Sequence, residues 1–132
     1  ILSSLTYRKN DVVIMDMEAG LEHLGRGTAA NMDQFIVVIE PGARSVQTYR
    51  NVKRLASDLG VKRVRVVANK IRDEQDEAFI RSAIPAEDLL GCIHYNPEIM
   101  DADRQGKSPY DCSPKAIEEI RAIKAILDND EV

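Results

Sequence analysis

No apolar run in this 132-residue chain approaches the roughly 20 residues that a membrane span requires, and no basic-then-apolar leader precedes a small-residue cleavage site. The expectation is a cytoplasmic protein with no membrane partner. Basic residues are not in surplus: the formal charge is -4 and the pI about 5.2, which argues against a nucleic-acid binder working through a general basic surface. Acidic ligands would need a local pocket instead. Cysteine is scarce, and Cys92 and Cys112 form neither a CxxC pair nor a close pair, so a disulfide framework and a zinc site are both disfavoured. With 44% hydrophobic and 30% charged residues, the chain suits one core and is too short for two comfortable domains. Residues 1–132 are therefore read as a single or partial domain. The opening ILSSLTYRKN lacks an initiator methionine and resembles the last turns of a helix, with Ile1, Leu2 and Leu5 on one face. That start implies a chain beginning in mid-fold.

What is present is alternation. Three apolar runs, VVIMD (Val12 to Asp16), FIVVIE (Phe35 to Glu40) and VRVVAN (Val64 to Asn69), predict strands, and LLGCIHY (Leu89 to Tyr95) is a weaker fourth interrupted by Gly91. Such continuous runs suit strands buried on both faces of a parallel sheet. Between them, Ser45 to Leu59 puts Val46, Tyr49, Val52, Leu55, Ala56 and Leu59 on one side, with Gly60 as a stop. Asp76 to Ala83 is a shorter helix. Ser113-Pro114 reads as N-cap and first-turn proline of a last helix carrying Ile117, Ile120, Ile123 and Leu127 inward. The class is α/β, a mostly parallel sheet with helices on both faces.

Ligands of such sheets sit outside the carboxyl ends of the strands. Those ends are Asp16-Met17-Glu18, Glu40-Pro41-Gly42, Asn69-Lys70 and Tyr95-Asn96-Pro97. Asp16 after four apolar residues fits a Walker B acid that orients magnesium beside nucleotide phosphates, and it equally fits a helix or turn cap. Ala19-Gly20 shifts the balance, because glycine lets a backbone amide approach a γ-phosphate and move when it leaves. The Asn69 amide offers a donor and an acceptor, matching a purine edge, with a loop cap as the alternative. Arg44 and Ser45 open a helix whose N-terminus can face an anion, and capping explains Ser45 as well. GKS at Gly106 to Ser108 is not a phosphate loop, since position 101 is Asp and no apolar strand precedes it. His23, His94 and the cysteines form no metal constellation, His94 reading as a satisfied core or edge histidine and His23 as an exposed loop residue.

Taken together, VVIMDMEAGLEHLGRGT, FIVVIEPGARSVQT, VVANKI and HYNPEIMDADRQGKSPYD resemble the C-terminal part of a deviant Walker A ATPase of the MinD, ParA and nitrogenase-iron-protein class. Within it, DMEAGLEHLGRGT followed by EPGARS is most similar to the CooC type, which helps insert nickel into carbon monoxide dehydrogenase. The resemblance implies a P-loop NTPase-like fold, ATP or ADP with Mg2+ as cofactors, nickel as cargo of the complete protein, carbon monoxide dehydrogenase as client, and a nucleotide-dependent homodimer. It implies Asp16 as the acid near magnesium, Asp16 to Gly20 as the start of switch II, and Asn69 as the reader of the adenine edge. Pro97 and Glu98 would close the base pocket largely through backbone, with Glu40, Arg44 and Lys70 near that edge. The family's phosphate loop with its two lysines, its switch I aspartate and its paired cysteines are not in these 132 residues. The chain by itself is therefore expected not to hydrolyse ATP. A positioning ATPase of the MinD or ParA kind is the alternative, although IEEIRAIKAILDNDEV lacks the basic face of a membrane-targeting helix. A non-catalytic flavodoxin-like or receiver-like binding domain is the third.

Overall fold

Arg63–Ile71 forms β2, the middle of three parallel strands, with β1 (Gln34–Ile39) on one side and β3 (Leu89–His94) on the other. The computed structural model describes residues 11–17 and 25–130, without the side chains of Arg26 and Thr28. The helix-like start at Ile1, Leu2 and Leu5 lies outside the described residues. Each pair of strands is joined through a helix: α2 (Ala43–Leu59) links β1 to β2, and α3 (Glu74–Ala83) links β2 to β3. After β3 come α4 (Pro97–Arg104), the single turn α5 (Pro109–Cys112) and α6 (Pro114–Asn129), while a short α1 (Arg26–Ala29) precedes β1. This is the expected α/β class.

The helix ends follow local chemistry. Gly60 takes φ 83°, where a side chain would be strained, and the Val61 amide turns back to the Ala56 carbonyl at 2.8 Å to close α2. Asp73 caps α3 by accepting from the Asp76 amide, and Ser113 caps α6 by accepting from Ala116, with Pro114 in the first turn.

Alternation along β2 separates two cores. Val64, Val66 and Ala68 join Phe35, Val37 and Ile39 of β1, Tyr49 and Ala56 of α2 and Ile80 of α3. On the opposite face Val67 meets Leu90 of β3 and Ile123 of α6. Fully burying an isoleucine such as Ile39 or Ile80 contributes about 1.5–3 kcal/mol, so the α2 face carries most of the stability. Gly91 lets α6 approach β3, since a Cβ there would lie 3.1 Å from Ile123 Cγ1.

Three sequence expectations need correction. Val12 to Asp16 is not a strand: residues 11–17 pair with no strand, and Val12 and Ile14 are 80% and 87% exposed. A strand is stabilised by its ladder and by layers on its faces, and among the described residues the sheet ends at β1. Strand β1 is buried on one face only; α6 reaches Val67 but not β1, which leaves Ile36 and Val38 46% and 61% exposed. Ile120 does not point inward like Ile123, being half exposed on the flank of α6.

Candidate functional site

The carboxyl ends of β1, β2 and β3 meet at one edge, and the backbone of β2 sets what they present. Ala68 pairs with Cys92 and Ile71 with His94, so β2 carries one more residue than β3 across this interval. That is a bulge. Lys70 occupies it with φ 56°, a left-handed conformation that no other non-glycine residue among those described adopts. The extra residue restores phase, returning Ile71 to the core shared by Ala68, and it displaces Asn69-Lys70 from the regular ladder. Strain of this kind is held where surrounding structure over-determines it, often at ligand sites.

Lys70 Nζ lies 3.1 Å from Glu40 Oε1, tying the tip of β2 to that of β1. Both side chains are more than half exposed, so the pair orients more than it stabilises. With Pro41, Arg72 and Tyr95 they line an open hollow of about 360 Å³. Asn69 stands half-buried at the same tip, and its side-chain amide hydrogen-bonds to none of the described residues. The capping alternative is excluded, because Asp73 caps the following helix. Asn69 therefore keeps an unused donor and acceptor.

Arg72 was not anticipated as part of this edge. Its backbone amide and Nε donate to Asp76 Oδ2 at 3.0 and 2.9 Å, and Nη2 donates to Oδ1 at 3.2 Å. The Arg72 side-chain and backbone bonds hold the Asp76 carboxyl below the usual carboxylate range. The sequence signal was the i,i+4 spacing of Arg72 and Asp76.

On the third tip the sequence expectation is altered. Asn96 caps α4 by accepting from the Glu98 amide at 2.9 Å and donates through Nδ2 to Ser113 Oγ at 2.8 Å. Pro97 occupies the first turn, and Glu98 is approached by Ser113 Oγ at 3.5 Å. Pro97 and Glu98 thus stand at the entry to α4, next to Tyr95 but not lining the hollow. Arg44 is exposed in the first turn of α2, and Ser45 Oγ accepts from the Glu40 amide at 3.3 Å, steadying that tip rather than capping its own helix. His94 is the expected edge histidine, with Nδ1 2.6 Å from Glu119 Oε2 of α6. Burial pushes the Cys92 thiol up, which keeps it inert.

Asp16 is exposed in segment 11–17, which carries no strand, and it does not line the hollow; Glu18, Ala19, Gly20 and His23 lie outside the described residues. Among the described residues, no group of three or more His, Cys, Asp or Glu side chains could hold a metal ion. One carboxylate cannot cage a metal. It does suit magnesium that keeps most of its waters and is held mainly by nucleotide phosphates. The hollow itself is lined by the Glu40–Lys70 pair, Pro41, the Asp76-held Arg72 guanidinium and the Tyr95 ring, with the Asn69 amide at the same strand end but outside that lining.

The parallel sheet, its flanking helices and the polar tips define a P-loop NTPase-like α/β segment. No protein-family model matches the chain. It is 41% identical over 127 residues to the carbon monoxide dehydrogenase accessory protein CooC of Rhodospirillum rubrum, covering 96% of this chain and 48% of that protein. It is 39% identical over 126 residues to an uncharacterized ATP-binding protein of Methanocaldococcus jannaschii (93% of this chain, 48% of the relative). A second such protein of the same organism matches at 39% over 99 residues (73% and 39%). The chain is CooC-like in sequence, and it spans about half the length of the curated relatives it matches.

Proposed function

We propose that this segment forms the nucleotide-base edge and the switch segment of an ATPase that matures carbon monoxide dehydrogenase by nickel insertion. Its likeness to CooC supports that client, and its likeness to ATP-binding proteins supports the ligand. The carrying observation is the free Asn69 amide, set by the Lys70 bulge beside the Glu40, Arg72 and Tyr95 hollow. In this reading ATP binds the complete protein with its base against Asn69 and its phosphates toward Asp16 and Gly20. Arg44 and Glu40 set the charge around the ribose side, and Pro97 and Glu98 hold the third tip in place through α4. Magnesium, when bound, neutralises phosphate charge, and the Asp16 carboxylate orients its water shell. ATP would draw two copies into a dimer, and hydrolysis would release it, in the manner of the MinD and ParA class. Nickel is the cargo.

The test uses the full-length protein and metal-free carbon monoxide dehydrogenase. With nickel and MgATP, the client should gain activity while the accessory protein shifts to a dimer in sedimentation velocity, and ADP should support neither. Equal activation with ADP, or without the accessory protein, would remove the maturation role.

A further inference from the structure

A second open volume, larger than the hollow at the strand tips, lies away from the nucleotide edge. It is a groove of about 800 Å³ at the opposite edge of the sheet, where β2 begins and α2 and α6 end. Its walls carry Lys53, Lys62, Arg63 and Arg65 against Glu87, Asp88 and Asp130. A local excess of cations is unusual on a chain of net charge -4.

Two of these seven charges are settled by an internal cluster. Lys53 Nζ lies 2.7 Å from Asp88 Oδ2, which also accepts from the Tyr49 hydroxyl at 2.5 Å. Three more centre on one carboxylate. Asp130, just past α6, pairs with Arg65, while Arg63 Nη1 stands back at 3.7 Å. Arg65 is largely buried, yet its Nε has no hydrogen-bond partner. A guanidinium normally grips a carboxylate with two parallel bonds, so this grip is incomplete. Lys62 is exposed and pairs with none of the described residues. Arg63 and Lys62 therefore retain unused capacity for carboxylates, with Val61 and Val64 as an aliphatic floor, while the Arg65 Nε is buried beneath them. Glu87 at the rim opposes this, but the sum stays positive.

We propose that this groove is a docking site for an acidic peptide segment of a partner protein, and that Asp130 is the internal occupant such a segment displaces. Asp130 shows the chemistry the groove accepts: a carboxylate presented from just past the end of α6. A volume of this size admits several side chains, more than a compact anion fills. The site lies across the sheet from the nucleotide edge, so docking and nucleotide binding need not compete.

The experiment measures anisotropy of a fluorescein-labelled Asp-Glu-Val-Asp-Glu peptide with the full-length protein at low salt. Asp130→Asn should tighten binding about tenfold by removing the internal competitor, and Arg63→Gln should weaken it about tenfold. Because Asp130→Asn leaves Arg65 without its partner and can unsettle the fold, Lys62→Gln, at an exposed and unpaired position, serves as the second variant and should weaken binding several-fold. Failure of both wild type and Asp130→Asn to bind the peptide would overturn the proposal. So would binding indifferent to Arg63→Gln and Lys62→Gln, or displacement by inorganic phosphate as effective as by unlabelled peptide.

Discussion

Replacing Asp16 by asparagine in the full-length protein should lower magnesium-dependent ATP turnover about a hundredfold, with nucleotide affinity changed only a few-fold. Asparagine keeps the size and one carbonyl oxygen but loses the negative charge. A hydrated magnesium ion needs that charge to hold its water shell in one orientation, whereas most of the binding energy of the nucleotide comes from its phosphates and base. The effect should therefore fall on kcat more than on KM. Steady-state phosphate release, measured beside a fluorescent-nucleotide titration, separates the two. Unchanged turnover would mean that the exposed Asp16 carboxylate is not the acid at the phosphates.

The second large effect is expected at Asn69. Asn69→Ala should reduce the preference for ATP over other purine triphosphates about thirtyfold, through loss of a paired donor and acceptor worth roughly 1 kcal/mol each. The position has no structural task that would confuse the result. Its side chain caps nothing, and its neighbour Lys70 rather than Asn69 bears the left-handed backbone. Stability should therefore change little while base discrimination erodes. Competition binding of ATP, GTP and ITP against one labelled nucleotide reads it directly, and identical selectivity in variant and parent would refute the role.

The sequence made the helices legible because their ends are chemically marked. Gly60 in the left-handed region and Ser113-Pro114 as cap and first turn act within a few residues, and the structure keeps both. Strands depend on what lies beside them. The same β-branched composition gives a paired strand at Phe35 to Ile39 and an unpaired, exposed segment at Val12 to Asp16, because pairing is a property of neighbours. One-sided burial of β1 was invisible for the same reason: Ile36 and Val38 read as core until the reach of α6 is known.

At the site, Glu40, Asn69 and Lys70 were readable from strand ends, and all three stand at one edge. The bulge that orients them was not readable, since it arises from a mismatch of one residue between β2 and β3. Nor was the bond from Asn96 to Ser113, which joins the N-caps of α4 and α6 across 17 residues. Arg72 was hidden by its place one residue past β2, where a charged residue ordinarily just meets solvent.

The central claim is that the tips of β1, β2 and β3 hold the nucleotide base. Photo-crosslinking the full-length protein with 8-azido-ATP, followed by peptide mapping, tests it most directly. Adducts confined to the segments around Asn69 to Arg72 and Tyr95 to Glu98, and suppressed by excess ATP, are the expected result. ATP-protected adducts that fall only elsewhere, such as at the groove beside Arg63 and Asp130, would contradict it.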